Sequence, residues 1–167
     1  NHDGYDDLAI TDGSFNSGTG YVYIIFGQQG GWPNTLDLNS LQSIKDSGVS
    51  YIEIQAIENY LPEEGLFGLG LGQALAALGD VNGDGIDDFS ITKQHDGNDK
   101  DESLELKNNY PGEVMIVLGR EAANWTDSTI TVEELKASYA YSMYASEFIA
   151  SFGRSVINAG DVNGDNI

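Results

Sequence analysis

A short acidic loop, DVNGDGIDD at positions 80–88, carries the residues best suited to chemistry. Oxygen-bearing side chains fall at the first, third, fifth and ninth places. Because alternate residues of a tightly curled loop point inward, these oxygens can converge on one hard cation, which prefers about six to eight oxygen ligands. Gly85 permits the positive φ that a sharp turn needs. The predicted ligands are the side chains of Asp80, Asn82, Asp84 and Asp88 and the carbonyl of Ile86.

Two incomplete copies of this loop lie at the two ends of the sequence. Crowded carboxylates repel one another without a cation. Calcium is therefore the predicted cofactor, because a cage of many protein oxygens suits magnesium less well. The competing interpretation is a solvated Asn-Gly or Asp-Gly turn that binds nothing. The first copy supplies Asn1, Asp3, the Tyr5 carbonyl and Asp7, and the last supplies Asp161, Asn163 and Asp165.

The calcium loop of an EF-hand shares the first nine positions and has to be considered. That loop needs an acidic residue at position 12 and a following helix. Position 12 counted from Asp80 is Ile91, inside a β-like run, so the sequence argues against a helix–loop–helix.

The loops belong to a longer internal repeat. Asn1, Asn82 and Asn163 follow one another at a spacing of 81 residues, and three further blocks recur in the same order. Such self-similarity is the signature of a repeat architecture. We predict repeat units at 1–72, 73–153 and 154–167, taken from a longer array. The recurring blocks are YVYIIFG 21–27 with EVMIVLG 113–119, TLDLNSL 35–41 with TITVEEL 129–135, and LGQALAALGD 71–80 with FGRSVINAGD 152–161.

Composition excludes several classes of function. The 167 residues contain 27 acidic against 7 basic side chains, a formal charge of −20, so nucleic acid and anionic membrane surfaces are poor partners. With no Cys, thiolate metal sites and disulfides are excluded. No apolar run approaches the roughly 20 residues that span a bilayer, so no membrane insertion is expected.

The elements that position the loops are predicted to be β-strands, because the apolar runs are short, rich in β-branched residues and separated by glycine clusters. YIEIQAI at 51–57 alternates like a half-buried strand. The stretch 130–149 is compatible with a helix by propensity, but its counterpart in the first unit reads as a turn and a strand, and we follow the repeat. The charged segment 93–112 is expected to be an exposed insertion. The predicted strands are 7–11, 21–26, 51–57, 73–79, 88–92, 113–118, 139–146 and 154–159.

These blocks resemble the FG-GAP repeats of integrin α-subunit propellers and their bacterial relatives. Phe152-Gly153 matches the "FG", with Leu71-Gly72 in the preceding unit, while no Pro follows Gly160. The resemblance implies an all-β fold of β-propeller blades, each a four-stranded antiparallel sheet, in a partial propeller of about two blades. It also implies structural calcium in the hairpin between the first two strands and an extracellular or cell-surface location.

The expected function is a calcium-binding extracellular module with a structural, adhesive or ligand-recognition role toward a protein or glycan. One alternative is a non-catalytic propeller domain of a larger secreted hydrolase. Another is a subunit of a self-assembling extracellular polymer, a homo-oligomer whose strands 154–159 and 7–11 pair between copies. No catalysis is expected, because His2 and His95 lack a Ser or Cys partner at a recognisable spacing.

Overall fold

A computed structural model describes residues 1–12, 20–38, 40–56, 70–94, 112–125, 129–144 and 152–164. These residues form eight strands, two short α-helices and one turn of 3-10 helix at Ala122–Asn124. In chain order the elements are β1 Leu8–Asp12, β2 Tyr21–Ile25, α1 Leu41–Asp46, β3 Tyr51–Gln55, β4 Gly70–Gly79, β5 Asp88–Gln94, β6 Glu113–Val117, β7 Thr129–Thr131, α2 Val132–Ser138 and β8 Ala140–Tyr144.

The strands make two four-stranded sheets. Sheet A has the order β1-β2-β3-β7 and sheet B the order β4-β5-β6-β8. Sheet B is antiparallel throughout, whereas β7 pairs parallel to β3 in sheet A. The prediction of a mostly β protein is therefore confirmed, and the prediction of wholly antiparallel sheets is wrong for sheet A. The parallel strand is contributed by the second unit, whose β7 crosses over to complete the sheet of the first.

Seven of the eight predicted strands overlap observed strands. The exception is 154–159, where the structure has neither strand nor helix. This segment is joined to β4 by a side chain instead of a backbone ladder, since Asn158 Nδ2 donates to the Leu78 carbonyl at 2.8 Å. Much of the segment predicted as an exposed insertion, 95–111, lies outside the described residues.

Both units contain a helix that the repeat-based interpretation omitted. Thr131 begins α2 with a capping box: its hydroxyl accepts from the Glu134 N–H, and the Glu134 carboxylate accepts from the Thr131 N–H at 2.8 Å. Ser40 is the N-cap of α1, and its hydroxyl accepts from Ser43 N at 3.3 Å. Burial of Val132 and Leu135 then holds α2 against the core.

One hydrophobic core lies between the two sheets and another covers the opposite face of sheet A. The first unites residues of β2, β3 and β7 with residues of β5, β6 and α2. The second packs Ile44 of α1 against Tyr23, Ile25 and Tyr51. Strand β3 is therefore buried on both faces, and the prediction that it is half-buried is wrong because α1 covers the side expected to meet solvent.

The contact between one unit and the next follows a repeated pattern. A Cβ on Gly72 would lie 3.0 Å from both Thr11 and Val22 of sheet A. A Cβ on Gly153 would lie 3.0 Å from Val114 and 3.4 Å from Thr92 of sheet B. The Leu-Gly dipeptide thus packs closely on β1 and β2 of sheet A, and the Phe-Gly dipeptide on the corresponding strands β5 and β6 of sheet B.

A buried ion pair joins β6 to α2 and yields a stability prediction. Lys136 Nζ lies 2.8 Å from Glu113 Oε2, and the Tyr144 hydroxyl donates to Glu113 Oε1 at 2.8 Å. Burial alone would raise the pKa of Glu113, but the bonds from Lys136, Ser142 and Tyr144 outweigh it and lower that pKa. We expect Glu113→Gln to reduce the free energy of unfolding by about 2 kcal/mol near neutral pH, measured by urea denaturation.

The dependence of stability on pH below neutrality provides the check on this prediction. Because the folded pKa of Glu113 is depressed, its stabilisation is present above the ordinary value of 4.5 and is lost as pH falls through the folded value. The difference between wild type and Glu113→Gln should therefore shrink in acid. Glu133→Gln is the matched control, because exposed Glu133 lies 3.9 Å from the same Lys136, and it should change stability by less than about 0.5 kcal/mol. Equal losses in the two variants would contradict the assignment.

Candidate metal centre

The acidic loop joins β4 to β5, so the first two strands of sheet B fix both of its ends. Its curl is set by Gly83 and Gly85, which have φ of 78° and 89°. The Asp80 carboxylate accepts three backbone N–H bonds, from Gly83 at 2.7 Å, Asp84 at 3.0 Å and Gly85 at 2.7 Å. These bonds lower the pKa of Asp80, the Gly85 bond most strongly. The loop is thus wrapped around an ionised carboxylate.

Asn82 and Asp84 form the outer part of the loop and are exposed. The Asn82 side-chain oxygen accepts from Asp84 N at 2.8 Å, and Asp84 Oδ1 accepts from Ile86 N at 2.9 Å. Asn82 Nδ2 donates to Asp84 Oδ2 at 2.9 Å, so the two side chains are adjacent. Each oxygen still has a lone pair available for a cation.

Asp88 lies at the end of the loop and has a different environment. It is only 1% exposed, and its two oxygens accept from Val81 N at 2.9 Å and from Gly119 N at 2.7 Å. This carboxylate closes the loop and ties it to the end of β6. Any role as a ligand would come in addition to that structural one.

Negative charge accumulates in the loop. Burial raises the pKa of Asp88, and the negative charges of Asp84 and Asp80 raise it as well. The hydrogen bonds from Gly119 and Val81 lower this pKa, but the net effect is an increase. A divalent cation beside Asp80 and Asp84 would relieve this repulsion.

The N-terminal loop has the same construction. Asn1 Oδ1 accepts from Asp3 N at 3.1 Å and Asp3 Oδ1 from Tyr5 N at 2.9 Å, which reproduces the bonds of Asn82 and Asp84. Asp7 Oδ1 accepts from Gly27 N at 2.9 Å, as Asp88 does from Gly119. His2, with φ of 61°, occupies the left-handed position that Gly83 holds in the complete loop.

The last loop is described only as far as residue 164. Asp161 Oδ1 accepts from Gly164 N at 2.6 Å, which matches the bond between Asp80 and Gly83. Asn163 falls at the position of Asn82, and Asp165 lies outside the described residues. The structure thus gives three loops of one type the same local conformation as far as each is described.

The donor set fits a hard cation, although the loop is not closed around one. Within the described part of the chain, no three His, Cys, Asp or Glu side chains are grouped so that they could hold a metal ion. In loop 80–88, Asp88 accepts from Val81 N and Gly119 N, and Asp80 and Asp84 are the other acids at the predicted ligand positions. The remaining oxygens there come from the Asn82 amide and the Ile86 carbonyl.

Two glycines that hold the loops were not anticipated from the sequence. Gly27 and Gly119 donate to the last acid of their loops, and an added Cβ on either would meet a loop backbone carbonyl, of Asp6 or of Asp87. The signal was present, because both glycines end the recurring blocks YVYIIFG and EVMIVLG.

The two tryptophans have different environments. Trp32 is partly exposed, and its indole N–H donates to the Phe26 carbonyl at 2.9 Å. Trp125 packs against the core between the sheets, and the Arg120 guanidinium carbon lies 3.6 Å from its ring centroid and 3.1 Å from that of Tyr139. A face of the Trp125 ring is therefore covered by an intramolecular cation–π contact.

Comparison with known proteins gives no match: no family model, no curated protein and no solved structure corresponds to this chain. Among the residues that the structure describes, no helix has the length and apolar character required to cross a membrane.

Proposed function

We propose that this chain is a calcium-stabilised repeat module of the FG-GAP type, whose sheets are successive propeller blades. The observation that carries the proposal is the recurrence of one acid-centred loop conformation at equivalent places of the repeat, together with its oxygen-rich donor set. A solvated turn also uses Asp and Asn side chains to accept backbone N–H bonds, but only a cation would relieve the repulsion among Asp80, Asp84 and Asp88.

Calcium would act on the hairpin between β4 and β5. Asp80, Asn82, Asp84 and the Ile86 carbonyl would hold the ion, and calcium supplies the positive charge that the loop lacks. The bonds of Asp88 to Val81 and Gly119 would transmit this rigidity to the edge of β6. Asn1, Asp3 and Tyr5 in the first loop, and Asp161 and Asn163 in the last, would serve equivalent sites.

The role that follows is structural and extracellular. A calcium site of moderate affinity is filled where free calcium is abundant, outside the cell. With its loops made rigid, the module would present its variable segments to a protein or glycan ligand.

Calcium removal tests the proposal. Since an ion that binds only the folded state stabilises it by about 2.7 kcal/mol at one hundred times its Kd, excess EDTA should lower the Tm by several degrees. The measurement is differential scanning calorimetry in calcium and in EDTA, with isothermal titration calorimetry for the affinity. Magnesium at the same concentration is the control and should restore less stability.

A variant separates this effect from a general response to chelator. Asp84→Ala should lower the Tm in calcium and reduce the response to EDTA, and the response that is left would come from the first and last loops. Asp46→Ala, on a residue of α1 remote in sequence from every loop, should keep the full EDTA response. An unchanged melting curve of the wild type in EDTA would falsify the calcium proposal.

A further inference from the structure

The loop between β4 and β5 contains an asparagine followed directly by a glycine, and both residues are open to solvent. Asn82 and Gly83 are exposed, and a Cβ added to Gly83 would meet no atom within 4 Å. A backbone nitrogen that no side chain crowds is free to approach the carbonyl carbon of the preceding side-chain amide. The pair is therefore suited to a covalent change at the amide that a bulkier or buried pair resists.

We propose that Asn82 is a site of spontaneous deamidation. In this reaction the Gly83 backbone nitrogen gives up its proton to solvent and attacks Asn82 Cγ. The bond from Cγ to Nδ2 then breaks, and the leaving nitrogen takes up a proton and departs as ammonia, so that a cyclic succinimide remains. Water is the co-reactant that reopens this ring, and nothing is oxidised or reduced. Attack of water at Cγ yields aspartate, and attack at the main-chain carbonyl yields isoaspartate.

Three hydrogen bonds of the folded loop hold the reacting groups in place. Gly83 N donates to Asp80 Oδ1 at 2.7 Å. The Asn82 side chain accepts from Asp84 N at 2.8 Å and donates to Asp84 Oδ2 at 2.9 Å. The bonds that Asp80 accepts, that from Gly85 above all, lower its pKa, so this carboxylate is a weak base toward the Gly83 proton. The ring therefore closes from an opened loop, and the reaction should be about tenfold or more slower in the folded protein than in the unfolded chain.

The product changes the charge of the loop. The Asn82 amide now donates to Asp84, whereas an aspartate at position 82 would repel both Asp84 and Asp80 unless a cation lies between them. Isoaspartate instead adds a methylene group to the main chain ahead of Gly83, which shifts the Gly85 N–H away from Asp80. One product thus adds an ionised ligand for a cation, and the other disrupts the curl. This consequence for cation binding rests on the proposed function, but the reaction itself does not.

The other two loops differ in their susceptibility. The last loop repeats the dipeptide as Asn163-Gly164, and Gly164 N donates to Asp161 Oδ1 at 2.6 Å. In the first loop His2 stands in place of the glycine, so the attacking nitrogen there carries a side chain beside it. We therefore expect Asn163 to react as Asn82 does, and the first loop to remain unchanged.

Incubation of the whole chain at neutral pH, followed by peptide mass spectrometry, tests the proposal. The peptide that contains Asn82 should gain the mass of an NH₂ group replaced by OH, and an isoaspartyl methyltransferase assay should label the isoaspartate fraction. Asn124 is the matched control, because it is also exposed but is followed by Trp125, and it should stay intact. Gly83→Ala should suppress the reaction at position 82 while leaving it at position 163, with circular dichroism to confirm that the variant is folded.

The same chain incubated in urea supplies the reference rate. Conversion of Asn82 in urea with none in the folded protein would overturn the proposal. So would conversion of Asn124 at the same rate as Asn82, since the loss of amide would then be indifferent to the glycine. Equal rates for Asn82 in the folded and unfolded chains would show that the bonds to Asp80 and Asp84 do not restrain the ring closure.

Calcium separates this proposal from the preceding one. An ion held by Asp80, Asn82 and Asp84 should slow the deamidation of Asn82, and excess EDTA should restore the faster rate. Deamidation at one rate in calcium and in EDTA would contradict the calcium proposal and leave the modification site standing. Magnesium at the same concentration is the control and should slow the reaction less than calcium does.

Discussion

Gly119→Ala should destabilise the protein by about 3 kcal/mol or more, one of the two largest effects that the structure predicts for a single substitution. An added Cβ would collide with the Asp87 carbonyl oxygen and lie 2.7 Å from Ile86 Cγ2. The first of these atoms is backbone and cannot rotate away. The Gly119 N–H also donates to buried Asp88, so any shift of the chain that relieves the collision weakens that bond. Urea denaturation at constant calcium measures the loss.

A second glycine isolates the cause. Gly30 has φ of 88° and no atom within 4 Å of its added Cβ, so Gly30→Ala introduces backbone strain without a collision. It should cost about 1 kcal/mol. Gly27 is the structural counterpart of Gly119, facing the Asp6 carbonyl and donating to Asp7, and Gly27→Ala should behave as Gly119→Ala does. A Gly119→Ala protein no less stable than Gly30→Ala would show that the loop yields to the methyl group.

The features that could be predicted from the sequence are those set by residues close together in the chain. The spacing of Asp80, Asn82 and Asp84 with two glycines specifies the curl of the loop, and the apolar runs specify seven of the strands. Helix α2 was also within reach, because Thr131 and Glu134 have the spacing of a capping box ahead of an apolar run. The repeat predicts a turn and a strand there instead, because the counterpart of α2 in the first unit is interpreted in that way.

The features that could not be predicted depend on contacts between units. Strand β7 has three residues, and its parallel pairing with β3 joins residues more than seventy positions apart, which no local periodicity reports. The segment 154–159 has the composition of a strand but pairs with no strand in the described part of the chain, and local composition does not report whether a partner strand is in register with it. The pair of hydrogen bonds accepted by Asp88 likewise cannot be predicted from the sequence, since one of the donors, Gly119, is 31 residues away.

Asp88→Ala should cost about 3 kcal/mol or more, because it leaves the N–H groups of Val81 and Gly119 without their acceptor at a buried site. Its neighbour Asp87 is exposed, so Asp87→Ala is the matched control and should change the free energy of unfolding by less than about 0.5 kcal/mol. Asp88→Asn should recover only part of the loss. The amide keeps one acceptor oxygen but presents its NH₂ group to one of the two donors.

Repeating the measurement in EDTA distinguishes a structural carboxylate from a metal ligand. The two bonds of Asp88 are internal to the protein, so we expect most of the Asp88→Ala loss to persist without calcium. The Asp84→Ala loss should largely disappear under the same conditions, because Asp84 is exposed and would act through the ion. If instead the Asp88→Ala loss vanishes in EDTA, the carboxylate works by holding calcium and its bonds to Val81 and Gly119 contribute little. The two acids of one loop thus have separable roles, one that fastens the loop to β6 and one that faces the cation.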